Sequence, residues 1–250
     1  PQSYTVRLDP VTNTLQRDKA PAILNPFDLF AAEEAVRLKE RYGGSIHAFT
    51  MGIPAASKVL KEAMAMGADD GFLLSDRQFA GADTLATAYT LAQGIQKRGG
   101  FDLVICGRMA TDGDTAQVPP ILAEFLGIPC LTDICQIISA DEALLRCRRM
   151  GDDRYSIWEV RLPALITVTK EINVPRLPSI AGLRYAAGHP VTTWSAADFP
   201  GMDKERIGLQ GSATQVKRTF VPKQEIITRM IGGSPDQQAA ELADELARLH

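Results

Sequence analysis

Three short apolar runs (residues 45–52, 71–75 and 101–107) alternate with amphipathic stretches of helical length at 28–42, 54–66 and 83–98. Each run ends close to a small or polar residue. Each helical stretch stops at glycine: Gly43 and Gly44, Gly67, Gly99 and Gly100. Proline or aspartate opens the helices, where a fixed φ or a capping carboxylate suits the first turn. Strand–helix–strand units at this spacing leave few alternatives to a parallel sheet with helices packed on both faces. Ligands of such sheets bind beyond the carboxyl ends of the strands. Here those ends are Thr50, Met51 and Gly52, then Ser75 and Asp76, then Cys106, Gly107 and Arg108.

The middle of the chain reads differently. Extended runs at 143–150 and 154–161 flank Gly151, Asp152 and Asp153, a hairpin signal. A β-branched strand is predicted over 162–169. Beyond about Ala181 periodicity fades, and only 235–249 reads as a helix, with Ser234 as its cap. Its apolar stripe (Ala239, Leu242, Leu246, Leu249) is expected to pack on something outside the first core, either a domain of its own or a partner subunit.

Composition removes several classes of function. Lys and Arg number 27 against 30 Asp and Glu, so no basic excess meets a phosphate backbone and nucleic acid is not an expected partner. The longest apolar runs, such as 162–168, fall far short of the ~20 residues that cross a bilayer. Pro1, Gln2, Ser3 and Tyr4 lack the basic start and apolar core of a secretory leader, and a cytoplasmic location is expected. The four cysteines (106, 130, 135, 147) form no C-x-x-C pair, and the three histidines lie far apart. Reduced, partly buried thiols are expected rather than a metal site. No G-x-S-x-G occurs, so a hydrolytic triad is unsupported.

The segment from Cys106 to Val118 carries the most chemistry. A strand ends at Gly107, a polar loop follows, and a helix is predicted to begin near Asp114 or Thr115. A helix start offers unpaired N–H groups and a positive dipole end, a natural seat for phosphate. Arg108, Thr115 and Gln117 add donors; Asp112 and Asp114 suit ribose hydroxyls or capping. An ordinary capped loop explains the same residues equally well. Asn25, Pro26, Phe27 and Asp28 read as a helix entry or as a reader of adenine or ribose. The loop 75–84 brings Arg77 and Phe79 to the same edge, toward a planar ring, a phosphate or only solvent.

Taken together, several of these segments resemble the beta subunit of electron transfer flavoproteins. The segments are residues 25–28, 65–69, 79–87, 112–118 and 171–176, with 211–216 further on. The resemblance implies an α/β fold: a parallel-sheet, adenine-nucleotide-binding (Rossmann-like) domain with a β-hairpin insertion and an extended C-terminal arm. It places the nucleotide and flavin domain at 1–190, hairpin and recognition loop included. The arm and helix at 191–250 are then expected to pack on an alpha subunit that holds FAD. The beta subunit itself binds FAD in electron-bifurcating members and AMP in the others. The version at 112–118, together with 79–87, resembles the FAD type.

Cofactor contacts then fall on Asn25, Pro26, Phe27 and Asp28; Thr50, Met51 and Gly52; and Phe79, Ala80, Asp83 and Thr84. A further group is Gly107, Arg108, Ala110, Asp112, Gly113, Asp114, Thr115, Ala116, Gln117 and Val118. Residues 177–180 match the loop that docks on an acyl-CoA dehydrogenase-type flavoenzyme, with Ile180 as the favoured anchor and Leu177 beside it. The bifurcating version implies NADH as donor and ferredoxin or flavodoxin as acceptor. A non-redox nucleotide-binding regulator is the rival of another class. Departures from the family pattern are Met109, Thr111, the Pro119–Pro120 pair and a segment 184–190 without a lysine cluster. Pro1 matches the proline that follows the family's first strand, so a central strand is expected that the given sequence does not include.

Overall fold

The computed structural model describes residues 23–217, 228 and 230–248. They fall into two compact units, one reaching Val216 and one beginning at Lys217. Among the described residues, all the strands lie in the first unit. In chain order it comprises α1 (Pro26–Tyr42), β1 (His47–Met51), α2 (Ser57–Met66), β2 (Asp70–Leu74), α3 (Thr84–Arg98), β3 (Leu103–Gly107) and α4 (Val118–Leu126). Then follow β4 (Cys130–Ala140), β5 (Leu144–Met150), β6 (Tyr155–Arg161), β7 (Ala164–Val168), α5 (Ile180–Gly188) and β8 (Thr192–Trp194).

The expected alternation is present, and its punctuation works as the residues dictate. Pro26 occupies the first turn of α1, and Asp83 caps α3 by accepting the N–H groups of Leu85 and Ala86. Gly67 and Gly127 close α2 and α4 at φ 136° and 68°, values costly for any residue with a Cβ. The predicted hairpin forms as β5 and β6, antiparallel, with Met150 opposite Tyr155.

The described strands form two sheets. β1, β2 and β8 make a parallel three-stranded sheet; the other has the order β3-β7-β4-β5-β6, parallel from β3 to β4 and antiparallel beyond. β7 is central, and all five of its residues are buried. Its alternation separates two cores. Ala164, Ile166 and Val168 pack with Ala31 and the hairpin residues Leu145, Cys147 and Val160. Leu165 faces the opposite side, against Ala88, Ala92 and Ile95 of α3 and Leu122 and Ala123 of α4. Helices on one face and helix plus hairpin on the other bury a strand whose one polar side chain, Thr167, accepts the Asp133 N–H at 3.0 Å.

Three features differ from the sequence reading. β4 lies in a stretch not read as a strand, because register shifts between Leu131 and Ile134 and again near Ile137 break the two-residue period. The first unit does not stop at 190: β8 pairs with β2, and Ala196, Phe199, Met202 and Ile207 join the core around Leu74 and Tyr89. Finally, β1 and β3 each have one unpaired edge among the described residues, and both line one cavity of about 970 Å³ between α1 and α2.

The second unit contributes α6 (Pro235–Ala247), closed at its start by a reciprocal capping box between Ser234 and Gln237. Leu242 and Leu246 of its apolar stripe are exposed. Leu249, also assigned to the stripe, and Pro1 lie outside the described residues.

Candidate functional site

Three helices begin at the carboxyl edge of the strands, and hydrogen bonds tie their starts together. Asn25, just before α1, donates from Nδ2 to Asp28 Oδ2 at 3.0 Å and to the Met109 carbonyl at 2.9 Å. Its Oδ1 accepts the Thr111 N–H at 3.2 Å. Asp28 Oδ1 accepts the Gly107 N–H at 2.8 Å. This close approach requires glycine: a Cβ on Gly107 would lie 2.5 Å from the Phe27 carbonyl carbon and 2.7 Å from the Asp28 nitrogen. Burial pushes the Asp28 carboxyl up from its ordinary range, and the bonds from Asn25 and Gly107 only partly offset it. Burial, with the Asp28 charge next, also pushes the Cys106 thiol up and disfavours its thiolate. All four cysteines are free.

The loop from Ala110 to Gln117 is exposed. Asp114 and Ala116 adopt left-handed backbone at φ 50° and 53°, sparsely populated for residues with a Cβ. The helix predicted to start at Asp114 or Thr115 therefore starts only at Val118, with the proline pair in its first turn. Gln117 joins this loop to α3, accepting the Thr84 hydroxyl at 3.0 Å. The N-termini of α1, α3 and α4 thus open onto one polar edge, where their dipole ends favour an anion; Asp83 takes two of the first N–H groups of α3, and the proline pair leaves α4 the Val118 N–H.

Asp83 also anchors a segment whose part in the site went unread. Its Oδ2 accepts the Thr214 N–H and hydroxyl at 2.8 and 3.0 Å, while its own N–H reaches Ser212 Oγ at 2.8 Å. Burial pushes its carboxyl up, but the bonds from Ala86 and Thr214 outweigh this and hold it below the ordinary range. The signal was visible as residues 211–216; its contact with Asp83 spans a separation that no local pattern reports. Two of the expected contact residues have protein partners. Phe79 is buried with Leu74 and Tyr89, so its ring packs in the core. Arg108 pairs with Asp133 of β4 at 3.1 Å. Thr50, Met51 and Gly52 end β1, with the Gly52 N–H bonded to the Leu74 carbonyl.

The second candidate segment leaves β7 and runs to α5. Leu177 is 90% exposed, Val174 81% and Ile180 74%, so none of them closes a core. Ile180 is the first residue of α5, capped by Ser179. Leu177 stands before it and is the more exposed of the two.

A family model described as the electron transfer flavoprotein domain matches residues 12–199. The chain is 43% identical over 251 residues to "Electron transfer flavoprotein subunit beta" of Thermoanaerobacterium thermosaccharolyticum, covering all of this chain and 95% of that protein. It is 43% identical to "Caffeyl-CoA reductase-Etf complex subunit CarD" of Acetobacterium woodii, again over all of this chain and 95% of the other. "Protein FixA" of Bradyrhizobium diazoefficiens is 40% identical over 98% of this chain and 88% of its own. The chain belongs to the electron transfer flavoprotein beta-subunit family. A beta subunit of this family pairs with an alpha subunit and acts in electron transfer. Among the described residues no helix is long and apolar enough to cross a membrane, and no three His, Cys, Asp or Glu side chains stand together as a metal site.

Proposed function

We propose that this beta subunit binds FAD at the edge formed by α1, α3 and α4, and that it works in an electron-bifurcating flavoprotein. The observation that carries the reading is the joining of the three helix starts through Asn25, Asp28, Thr84 and Gln117. The donor set suits an adenylate-tailed group: the Thr84 and Val118 N–H groups and the Gln117 amide for a pyrophosphate, and Asp114 for hydroxyls. Asn25 and Asp28 hold the Gly107–Thr111 turn rather than facing solvent, so they shape the seat more than they touch its occupant. A flavin bound there supplies one- and two-electron redox chemistry, while the protein supplies distance, dielectric and hydrogen bonds.

The reading extends to partners. NADH is the proposed donor and ferredoxin or flavodoxin the low-potential acceptor, with the alpha-subunit FAD leading to an acyl-CoA dehydrogenase-type enzyme. Kinship to a subunit of a caffeyl-CoA reductase complex supports a CoA-ester enzyme on that branch. Leu177, with Ile180, is the proposed docking contact, an exposed aliphatic pair on a proline-bounded segment.

Denaturing the purified heterodimer and quantifying released nucleotides tests the cofactor. Two FAD per heterodimer is the expected result. One FAD with one AMP would reject the bifurcating reading and leave the family intact.

A further inference from the structure

We infer that Arg176 is a positioning residue for partner recognition: through Glu33 and Glu40 it locks the docking segment to α1, the helix whose first turn shapes the cofactor edge. The inference rests on the docking role proposed for Leu177 and Ile180.

The geometry is that of a clamp. Arg176 donates from Nε to Glu33 Oε2 at 2.8 Å and from its two terminal nitrogens to Glu33 Oε1 and both Glu40 oxygens, the shortest at 2.5 Å. Its backbone N–H adds a bond to Glu33 Oε2 at 3.0 Å. Glu33 is buried, and Arg37 is its other cationic partner, at 2.7 Å. A buried carboxylate is costly unless its oxygens are fully engaged. Only a planar guanidinium bridges two carboxylates in this way; an ammonium cannot form the fork. Three residues earlier, Asn173 Nδ2 bonds the Phe30 carbonyl and Glu34 Oε2, each at 3.0 Å. Pro175 stiffens the chain between the two attachments. On the far side α5 is seated on α2, with Gly182 so close that a Cβ would meet the Ala65 carbonyl oxygen at 2.1 Å. Leu177 therefore projects from a span fastened at both ends.

This arrangement has a consequence for electron transfer. Glu33 lies one and a half turns after Asp28, about 8 Å along the same rigid helix. The helix that sets the Gly107 turn also sets the docking segment, so the two keep a fixed separation. Fastening an exposed leucine before contact also removes an ordering cost from association.

The test uses the purified heterodimer, with a short-chain acyl-CoA dehydrogenase as the varied protein partner. Leu177→Ala, Arg176→Lys, Arg176→Gln and the double variant Glu33→Gln/Arg176→Gln are compared by KM, kcat, thermal midpoint and flavin content. Arg176→Gln is expected to raise KM about tenfold, more than it lowers kcat, with flavin content and visible spectrum unchanged. Arg176→Lys is expected not to restore KM. The double variant removes the buried charge together with its partner, so it is expected to regain thermal midpoint while KM stays high. Adding Leu177→Ala to Arg176→Gln is expected to give less than the product of the single effects, because both act on one contact. A raised KM in Leu177→Ala with wild-type KM in the double variant would overturn the positioning role and leave the docking role standing. Unchanged KM in Leu177→Ala would remove the docking role, and the inference with it.

Discussion

At the residue scale, two carboxyls on α1 answer burial in opposite ways. Burial pushes Glu33 up, but hydrogen bonds from Arg176 and Arg37 prevail and hold it at about 2. Asp28 has only the neutral donors Asn25 and Gly107, and burial prevails. The linkage signs follow. Glu33, depressed on folding, contributes stability that is complete above its ordinary value of 4.5 and lost as pH falls toward about 2. Asp28, raised on folding, gives stability that is complete below its ordinary value of 3.8 and lost as pH rises through its folded one. Glu33→Gln is therefore expected to cost roughly 2–4 kcal/mol at neutral pH. It is also expected to flatten the loss of stability on acidification below pH 4.5, read from urea midpoints measured between pH 6 and 3. A parallel downward shift of the whole curve, with its slope kept, would show that the carboxylate is not the group titrating there.

At the scale of elements, the joint between β1 and β3 is the informative one. Among the described residues each pairs on one side only, and both are half-buried although they line an apolar cavity. Unpaired parallel edges facing a common space are a template for one more strand. A strand of about 5–6 apolar, β-branched residues, added as a peptide, is expected to raise the thermal midpoint. The gain is roughly 2–4 °C for each kcal/mol of pairing and burial. No shift with a matched peptide, against a scrambled control, would mean that the two edges do not accept a strand. The loop 110–117 teaches the complementary lesson. Its Gly and Asp content reads as a helix entry, yet two left-handed residues delay α4 until Val118. Local propensity cannot report this, because the contacts of Gln117 with Thr84 and of Thr111 with Asn25 come from other elements.

At the scale of the whole molecule, the exposed apolar groups fall on separate elements. Leu177 and Ile180 sit at the entry to α5, and Leu242 and Leu246 lie along α6. A capped helix whose apolar stripe faces water is incomplete alone, and the family pairs such a chain with an alpha subunit. Leu242→Glu with Leu246→Glu is expected to abolish co-purification with that subunit. The circular dichroism of the isolated beta chain should stay unchanged. A heterodimer that survives the double substitution would place the interface on other surfaces.

The alternation of apolar runs and capped helices, the hairpin and the α6 cap were legible in the sequence because each is written in neighbouring residues: a period, a glycine stop, a capping side chain. So was the family, because several loops recur in order. The tertiary structure alone decided the rest. Phe79 went to the core, β4 became a strand despite its bulges, and residues 192–216 joined the first unit. Asp83 met Thr214, and Arg176 closed on Glu33. These outcomes depend on which distant groups share a small space, and on whether a buried charge finds a partner there. A one-dimensional pattern carries neither piece of information.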